Sequence, residues 1–238
     1  MFVRKVQIET AKGSPVDLGY VARLPVFRAL SRSPLAFSKP VTILVGNNGA
    51  GKSTLLEALA VAMRFNPDGG FLGARKFSET GTQTHSALHE VLRVSRSENP
   101  RAGYFLRAET HYNQITKMDR SPTYAGAHRH SHGETVLNVL EEAFKERGLF
   151  IFDEPEAGLS PVSQMAVMGM IALAARDGSQ FIVATHSPII AGIPGANIVA
   201  VKEEGIVPTD YEDTEMVQAT REFLADPIGS ADIIIEGL

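Results

Sequence analysis

The segment Gly46-Asn47-Asn48-Gly49-Ala50-Gly51-Lys52-Ser53 constrains this chain more than any other. It fills every fixed position of a G-x-x-x-x-G-K-S phosphate-binding loop. The apolar run Val41-Thr42-Ile43-Leu44-Val45 precedes it, and the helix-forming run Thr54-Leu55-Leu56-Glu57-Ala58-Leu59-Ala60 follows. In a strand–loop–helix setting the glycines let the backbone curl, so that successive N–H groups point at a β-phosphate. A helix starting near Lys52 adds its positive dipole end beneath the same anion. Residues Gly46, Asn47, Asn48, Gly49, Ala50, Gly51, Lys52, Ser53 and Thr54 are therefore expected to cradle a nucleoside triphosphate. Lys52 is expected to reach the β- and γ-phosphates, and the Ser53 hydroxyl to ligate Mg²⁺. The alternative, an incidental glycine-rich turn, does not account for the flanks.

The bulk properties leave room for one α/β domain. The chain has 238 residues, 44% hydrophobic and 21% charged, as in an ordinary globular protein. No apolar run is long enough to span a bilayer; Leu149–Phe152 and Asp232–Ile235 are only strand-sized. The start, Met1-Phe2-Val3-Arg4-Lys5, lacks the apolar core of a secretory signal. There is no cysteine, which excludes a disulfide framework and a thiolate zinc site. Together these features lead us to expect a cytoplasmic protein without direct membrane insertion. A net charge of −4 gives no global attraction for nucleic acid, which leaves a nucleic-acid partner open through a local basic face but unsupported by charge.

Alternation places a half-buried strand at Phe2–Glu9. Lys12 to Pro40 reads as a loop, a short helix and a return into the Val41–Val45 strand. Asn66-Pro67-Asp68-Gly69-Gly70 is a stop and turn. Residues 71–130 are the least regular, with a helical stretch at Ser86–Val94 and a strand at Tyr104–Ala108, and are expected to form a helical insertion lobe. Helical spacing of Val136, Leu137, Leu140 and Phe144 predicts a helix over Glu134–Arg147, with Gly148 as its C-terminal stop. Strand, helix and strand follow at Leu149–Phe152, Ser163–Ala175 and Gln180–Ala184. This alternation predicts a mostly parallel sheet wrapped by helices in a single domain over residues 1–238.

The apolar strand Leu149-Phe150-Ile151-Phe152 ends in Asp153-Glu154. Its C-terminal edge is where ligands gather in open α/β sheets. Asp153 is placed to hold the Mg²⁺ shell alongside Ser53, and Glu154 to accept a proton from an attacking water. Thr185-His186-Ser187-Pro188 closes the next strand, and His186 there can reach a γ-phosphate. An acidic turn and a structural histidine are the plainer readings of these two segments. The upstream phosphate loop favours function in both.

The order of these motifs, with Ala157-Gly158-Leu159-Ser160-Pro161 between the last two, resembles an ATP-binding-cassette (ABC) ATPase. That resemblance implies a P-loop fold with an antiparallel N-terminal β part and a helical lobe, and makes the nucleotide ATP. It identifies His130-Ser131-His132-Gly133-Glu134 with the family's signature, with His132 replacing its first glycine and His130 its usual leucine. Ser-His-Gly-Glu, with Gly69-Gly70, Arg107-Ala108-Glu109 and Tyr211-Glu212-Asp213-Thr214-Glu215, is similar to small soluble bacterial ATPases of the SMC-like branch. The family implies ATP hydrolysis in a head-to-tail homodimer. Lys52, Ser53 and His186 of one subunit would then meet Ser131, His132, Gly133 and Glu134 of the other across ATP. It also implies a glutamine in the Mg²⁺ shell, for which Gln83 is the candidate by position. An unidentified protein partner would read the dimer. The alternatives are a transporter's nucleotide-binding subunit and an ATP-dependent binding module with negligible turnover.

Overall fold

The computed structural model describes residues 1–9, 16–73, 86–107 and 132–237, with no side-chain detail for 132–135. A seven-stranded sheet runs in the order Gly205–Pro208, Asn197–Lys202, Val41–Val45, Gln180–Ala184, Gly148–Asp153, Ala102–Arg107, Gly70–Phe71. Its centre comprises β3 (Val41–Val45), β6 (Ala102–Arg107), β7 (Gly148–Asp153), β8 (Gln180–Ala184) and β9 (Asn197–Lys202). These pair in parallel, whereas β10 (Gly205–Pro208) and β4 (Gly70–Phe71) close the edges antiparallel. A second, three-stranded sheet is wholly antiparallel: β1 (Val3–Ile8) lies between β2 (Leu35–Ala36) and β5 (Leu92–Arg96). The fold is α/β, with a mostly parallel sheet and an antiparallel N-terminal part.

The apolar runs form central strands because both of their faces are covered. Leu149, Ile151, Ile182 and Ala184 pack with α1 (Pro25–Arg32) and α2 (Lys52–Ala62) on one face. Phe150, Phe152, Phe181 and Val183 pack on the other with α4 (His132–Ala143), α5 (Pro161–Arg176) and α6 (Pro188–Ala191). Phe150 and Phe181 stack across adjacent strands at 4.8 Å, and Phe144 meets Phe150 edge-on at 4.8 Å. Each such buried side chain is worth about 1.5–3 kcal/mol in removed apolar surface.

Two expectations change. Within residues 86–107, the helical stretch expected at Ser86–Val94 is reduced to the single-turn helix α3 (Leu88–Val91). That segment then supplies β5 to the small sheet and β6 to the large one. Tyr104, Phe105 and Leu106 are buried on both faces, so this piece belongs to the core. Of the stretch 71–130 expected as a helical insertion lobe, 74–85 and 108–130 lie outside the described residues. Secondly, α4 ends at Ala143, and Gly148 is the first residue of β7 rather than a helix stop. A Cβ on Gly148 would stand 2.6 Å from the Ala102 carbonyl oxygen, so close strand approach is what requires glycine there. The Asp232–Ile235 run lies within a helix, α8 (Pro227–Glu236), which follows α7 (Glu215–Ala225).

Gln180, fully buried at the start of β8, fastens the small sheet to the large one. Its Oε1 accepts the N–H groups of Phe2 (2.7 Å) and Val3 (2.8 Å), and its Nε2 donates to the Val3 carbonyl (2.8 Å). Gln180→Leu leaves those N–H groups buried and unpaired, which should cost roughly 3 kcal/mol. Urea unfolding reads this directly; a loss below about 1 kcal/mol would show that the two sheets do not depend on this clasp.

Candidate nucleotide-binding site

The parallel register brings the ends of four strands into one row. Arg107 of β6 pairs with Asp153 of β7, Asp153 with Ala184 of β8, and Ala184 with Leu44 of β3. The ladder then continues one residue further. The Glu154 N–H donates to the Ala184 carbonyl at 2.9 Å, and the Thr185 N–H to the Leu44 carbonyl at 3.4 Å. The phosphate loop, the acid pair and the histidine segment therefore leave the sheet side by side, at its C-terminal edge.

Gly46-to-Ser53 makes the turn from β3 into α2. Gly46 takes φ +139° and its missing Cβ would meet the Val201 carbonyl oxygen at 2.6 Å; Gly51 takes φ +91° with Val26 Cγ1 at 2.5 Å. A side chain at either position would be strained and would collide with its neighbour. Asn47, Asn48 and Gly49 are exposed at the rim, Ala50 is buried, and Thr54 is half-buried in the first turn of α2. Lys52 is buried, and its Nζ donates to the carbonyls of Gly46 (2.6 Å) and Asn47 (3.1 Å). Burial pushes the Lys52 ammonium below its ordinary pKa, while the carboxylates of Glu154, Asp153 and Glu156 pull it partly back. A buried ammonium that carries this desolvation cost at a helix N-terminus is suited to an anionic ligand.

The Ser53 hydroxyl donates to Asp153 Oδ1 at 2.9 Å, joining residues 100 positions apart. These are hard oxygen donors of the kind a divalent cation with phosphate ligands takes. Glu154 follows with φ +52°, a left-handed conformation uncommon for a residue bearing a Cβ. That twist turns the chain out of β7 and leaves the carboxylate about half exposed, with Oε1 4.0 Å from His186 Nε2. Lys52, Ser53, Asp153, Glu154 and His186 are thus gathered at one edge.

His132, Gly133 and Glu134 form the first turn of α4, while Ser131 and Gln83 lie outside the described residues. Of the aromatic residues near the N-terminal sheet, Phe37 is core, Tyr20 is exposed and Phe27 packs against the core.

Sequence reasoning missed the residues that hold this edge together. Glu156 bonds Thr185 and the His186 backbone, Gln164 of α5 accepts from Ser187, and the Tyr211 hydroxyl donates to the Pro188 carbonyl. Glu57 of α2 accepts the Ser86 N–H and pairs with Arg107 at 2.8 Å. The only cue for Glu156 was a third acid after Asp153 and Glu154, which reads equally as a solvated turn.

Two family models match, one described as an AAA domain over residues 26–122 and one as an "AAA domain, putative AbiEii toxin, Type IV TA system" over residues 136–191. The hemin import ATP-binding protein HmuV of Nocardia farcinica is 28% identical, over 89% of this chain and 83% of its own length. The protein of that name from Rhodopseudomonas palustris is 26% identical, over 70% and 72%. Together these matches support a member of the ABC-type ATPase superfamily. The SMC head domain from Thermotoga maritima is a similar solved structure, with a TM-score of 0.49 and 16% identity over 88% of this chain and all of that one. This ABC-type ATPase is accordingly a nucleotide-binding protein, with ATP as the ligand its family supports.

The left-handed turn at Glu154 gives a direct test of how tightly this edge is built. Glu154→Gly should be more stable than Glu154→Ala by about 1 kcal/mol, because glycine alone takes this φ without cost. Equal stabilities in thermal or urea unfolding would mean that the turn relaxes when the carboxylate is removed.

Proposed function

We propose that this ABC-type ATPase hydrolyses ATP with Mg²⁺, and that ATP joins two copies head to tail to switch a protein partner. The observation that carries the reading is the convergence of Lys52, Ser53, Asp153, Glu154 and His186 at one sheet edge. The loop N–H groups and Lys52 hold the phosphates. Ser53 and Asp153 would hold Mg²⁺, which would neutralise negative charge on the phosphates. Glu154 takes a proton as water oxygen bonds to the γ-phosphorus and the bond to the bridging oxygen breaks, releasing ADP and phosphate. His186 donates to the γ-phosphate and so registers its presence.

A second copy is supported by the openness of this edge. Asn47, Asn48, Gly49 and Ser53 are exposed, and the Glu154 and His186 side chains are 45% and 40% exposed. Phosphoryl transfer relies on charges aimed at the phosphate with bulk water displaced, and one copy leaves that face uncovered. In the proposed dimer Ser131, His132, Gly133 and Glu134 of the second copy cover it, with Gln83 completing the metal shell. A protein partner is supported by apolar residues left outside the core: Val162 and Met165 on α5, and Ile228, Ile233, Ile234 and Ile235 on α8.

One observation favours a second reading. The relatives are named hemin import ATP-binding proteins, which fits a nucleotide-binding subunit working with a separate membrane protein. Both readings share the hydrolytic centre and differ in the partner. Among the described residues no helix is long and apolar enough to cross a membrane.

Glu154→Gln should lower the rate of phosphate release at saturating Mg-ATP by at least about a hundredfold. ATP affinity should stay within about threefold, since glutamine keeps the shape and loses the base. Unchanged turnover would remove Glu154 from the chemistry. Lys52→Ala should abolish the rise in melting temperature that Mg-ATP gives the unaltered protein; a preserved rise would place nucleotide binding elsewhere.

A further inference from the structure

We propose that Glu156 is the positioning residue for His186, setting the histidine through its backbone and the preceding threonine; this rests on the reading of His186 as the group that meets the γ-phosphate. Both oxygens of the Glu156 carboxylate are committed to the histidine segment. Oε1 accepts the His186 backbone N–H at 2.7 Å, and Oε2 accepts the Thr185 hydroxyl at 2.8 Å. Thr185 is 1% exposed, and its Oγ1 in turn accepts the Ser187 N–H at 2.9 Å. These bonds hold three consecutive residues just past the end of β8, where the ladder finishes with the Thr185 N–H on the Leu44 carbonyl.

The far side of the segment is closed by α5. Ser187 Oγ donates to Gln164 Oε1 at 2.6 Å and accepts the N–H groups of Ile189 and Ile190 at 3.1 and 3.2 Å. Gln164 Nε2 donates to the Leu159 carbonyl at 3.0 Å, within the turn that begins at Glu154. The loop after β7 and the loop after β8 are therefore one hydrogen-bonded unit. His186 itself is exposed, and its ring stands 4.0 Å from Glu154 Oε1. A ring so placed takes its orientation from the backbone that carries it, and Glu156 fixes that backbone. Because Glu154 and Glu156 flank Pro155, the same turn sets the catalytic carboxylate and the histidine relative to each other.

A carboxylate here could act through charge instead, since Glu156 also contributes to the field at Lys52. Glutamine separates the two roles: its carbonyl still accepts the His186 N–H and its amide can donate to Thr185 Oγ1, while the charge is gone. The primary measurement is independent of hydrolysis. In Glu156→Ala, hydrogen exchange of the His186 amide should quicken by about tenfold or more, with the β8 amides unaffected. Glu156→Gln should restore most of that protection. In turnover, Glu156→Ala should lower kcat by about tenfold to a hundredfold, with ATP affinity within about twofold. The same substitution should cause no further loss in a His186→Ala background, because residues acting as a unit are non-additive. If Glu156→Ala does not fold, Thr185→Val removes the same hydroxyl link at nearly constant shape and should give the same exchange and kinetic pattern.

Unchanged His186 exchange in either variant overturns the proposal. So does a full additional loss when Glu156→Ala is combined with His186→Ala. Should His186→Ala hydrolyse ATP as the unaltered protein does, the sensing role of His186 falls, while the exchange data decide separately whether Glu156 sets its backbone.

Discussion

Everything in the candidate site depends on the register of the parallel strands β7, β8 and β3. Asp153, Ala184 and Leu44 lie in one row, and the Glu154 and Thr185 N–H groups extend that row past the strand ends. A shift of one residue would turn Asp153 to the opposite face of the sheet and part it from Ser53. The register is enforced by burial on both faces, with Phe150, Phe152 and Phe181 interlocked on one side and Leu149, Ile151 and Ile182 on the other. Hydrophobic packing thus sets the position of polar groups at the sheet's edge to within a hydrogen bond.

The same economy explains the buried polar residues. Lys52 carries a burial cost that three nearby carboxylates offset in part. Phosphate would supply the remaining compensation, which is how a loop can be both stable and strongly drawn to an anion. Gln180 and Glu156 each use both ends of a planar group on a segment distant in sequence: Gln180 accepts two backbone N–H groups and donates to a carbonyl, and Glu156 accepts a backbone N–H and a hydroxyl. Glu57 likewise joins the Ser86 N–H and the Arg107 guanidinium.

The strands and helices carrying the motifs were legible because their signals are local. Val41–Val45 and Gln180–Ala184 are continuous apolar runs with the expected bounds, and the glycines of the phosphate loop declare their own turn. What was not legible is non-local. The pairing of β1 with β5 joins residues about ninety positions apart, and nothing in Leu92–Arg96 distinguishes that strand from a helix continuing from Leu88. Gly148 was misread because a glycine after a helical run looks the same whether it caps the helix or admits a neighbouring backbone. Glu156 was invisible because an acid after Asp-Glu-Pro gives no hint that both oxygens are spent on residues 185 and 186.

In the proposed dimer one chain supplies half of a nucleotide site that a second copy completes. The most direct measurement is the solution mass of Glu154→Gln protein by light scattering, with and without Mg-ATP. A monomer without nucleotide that doubles in mass with Mg-ATP, and returns when ATP is exchanged for ADP, is the predicted result. A mass unmoved by Mg-ATP at concentrations that saturate binding would contradict it.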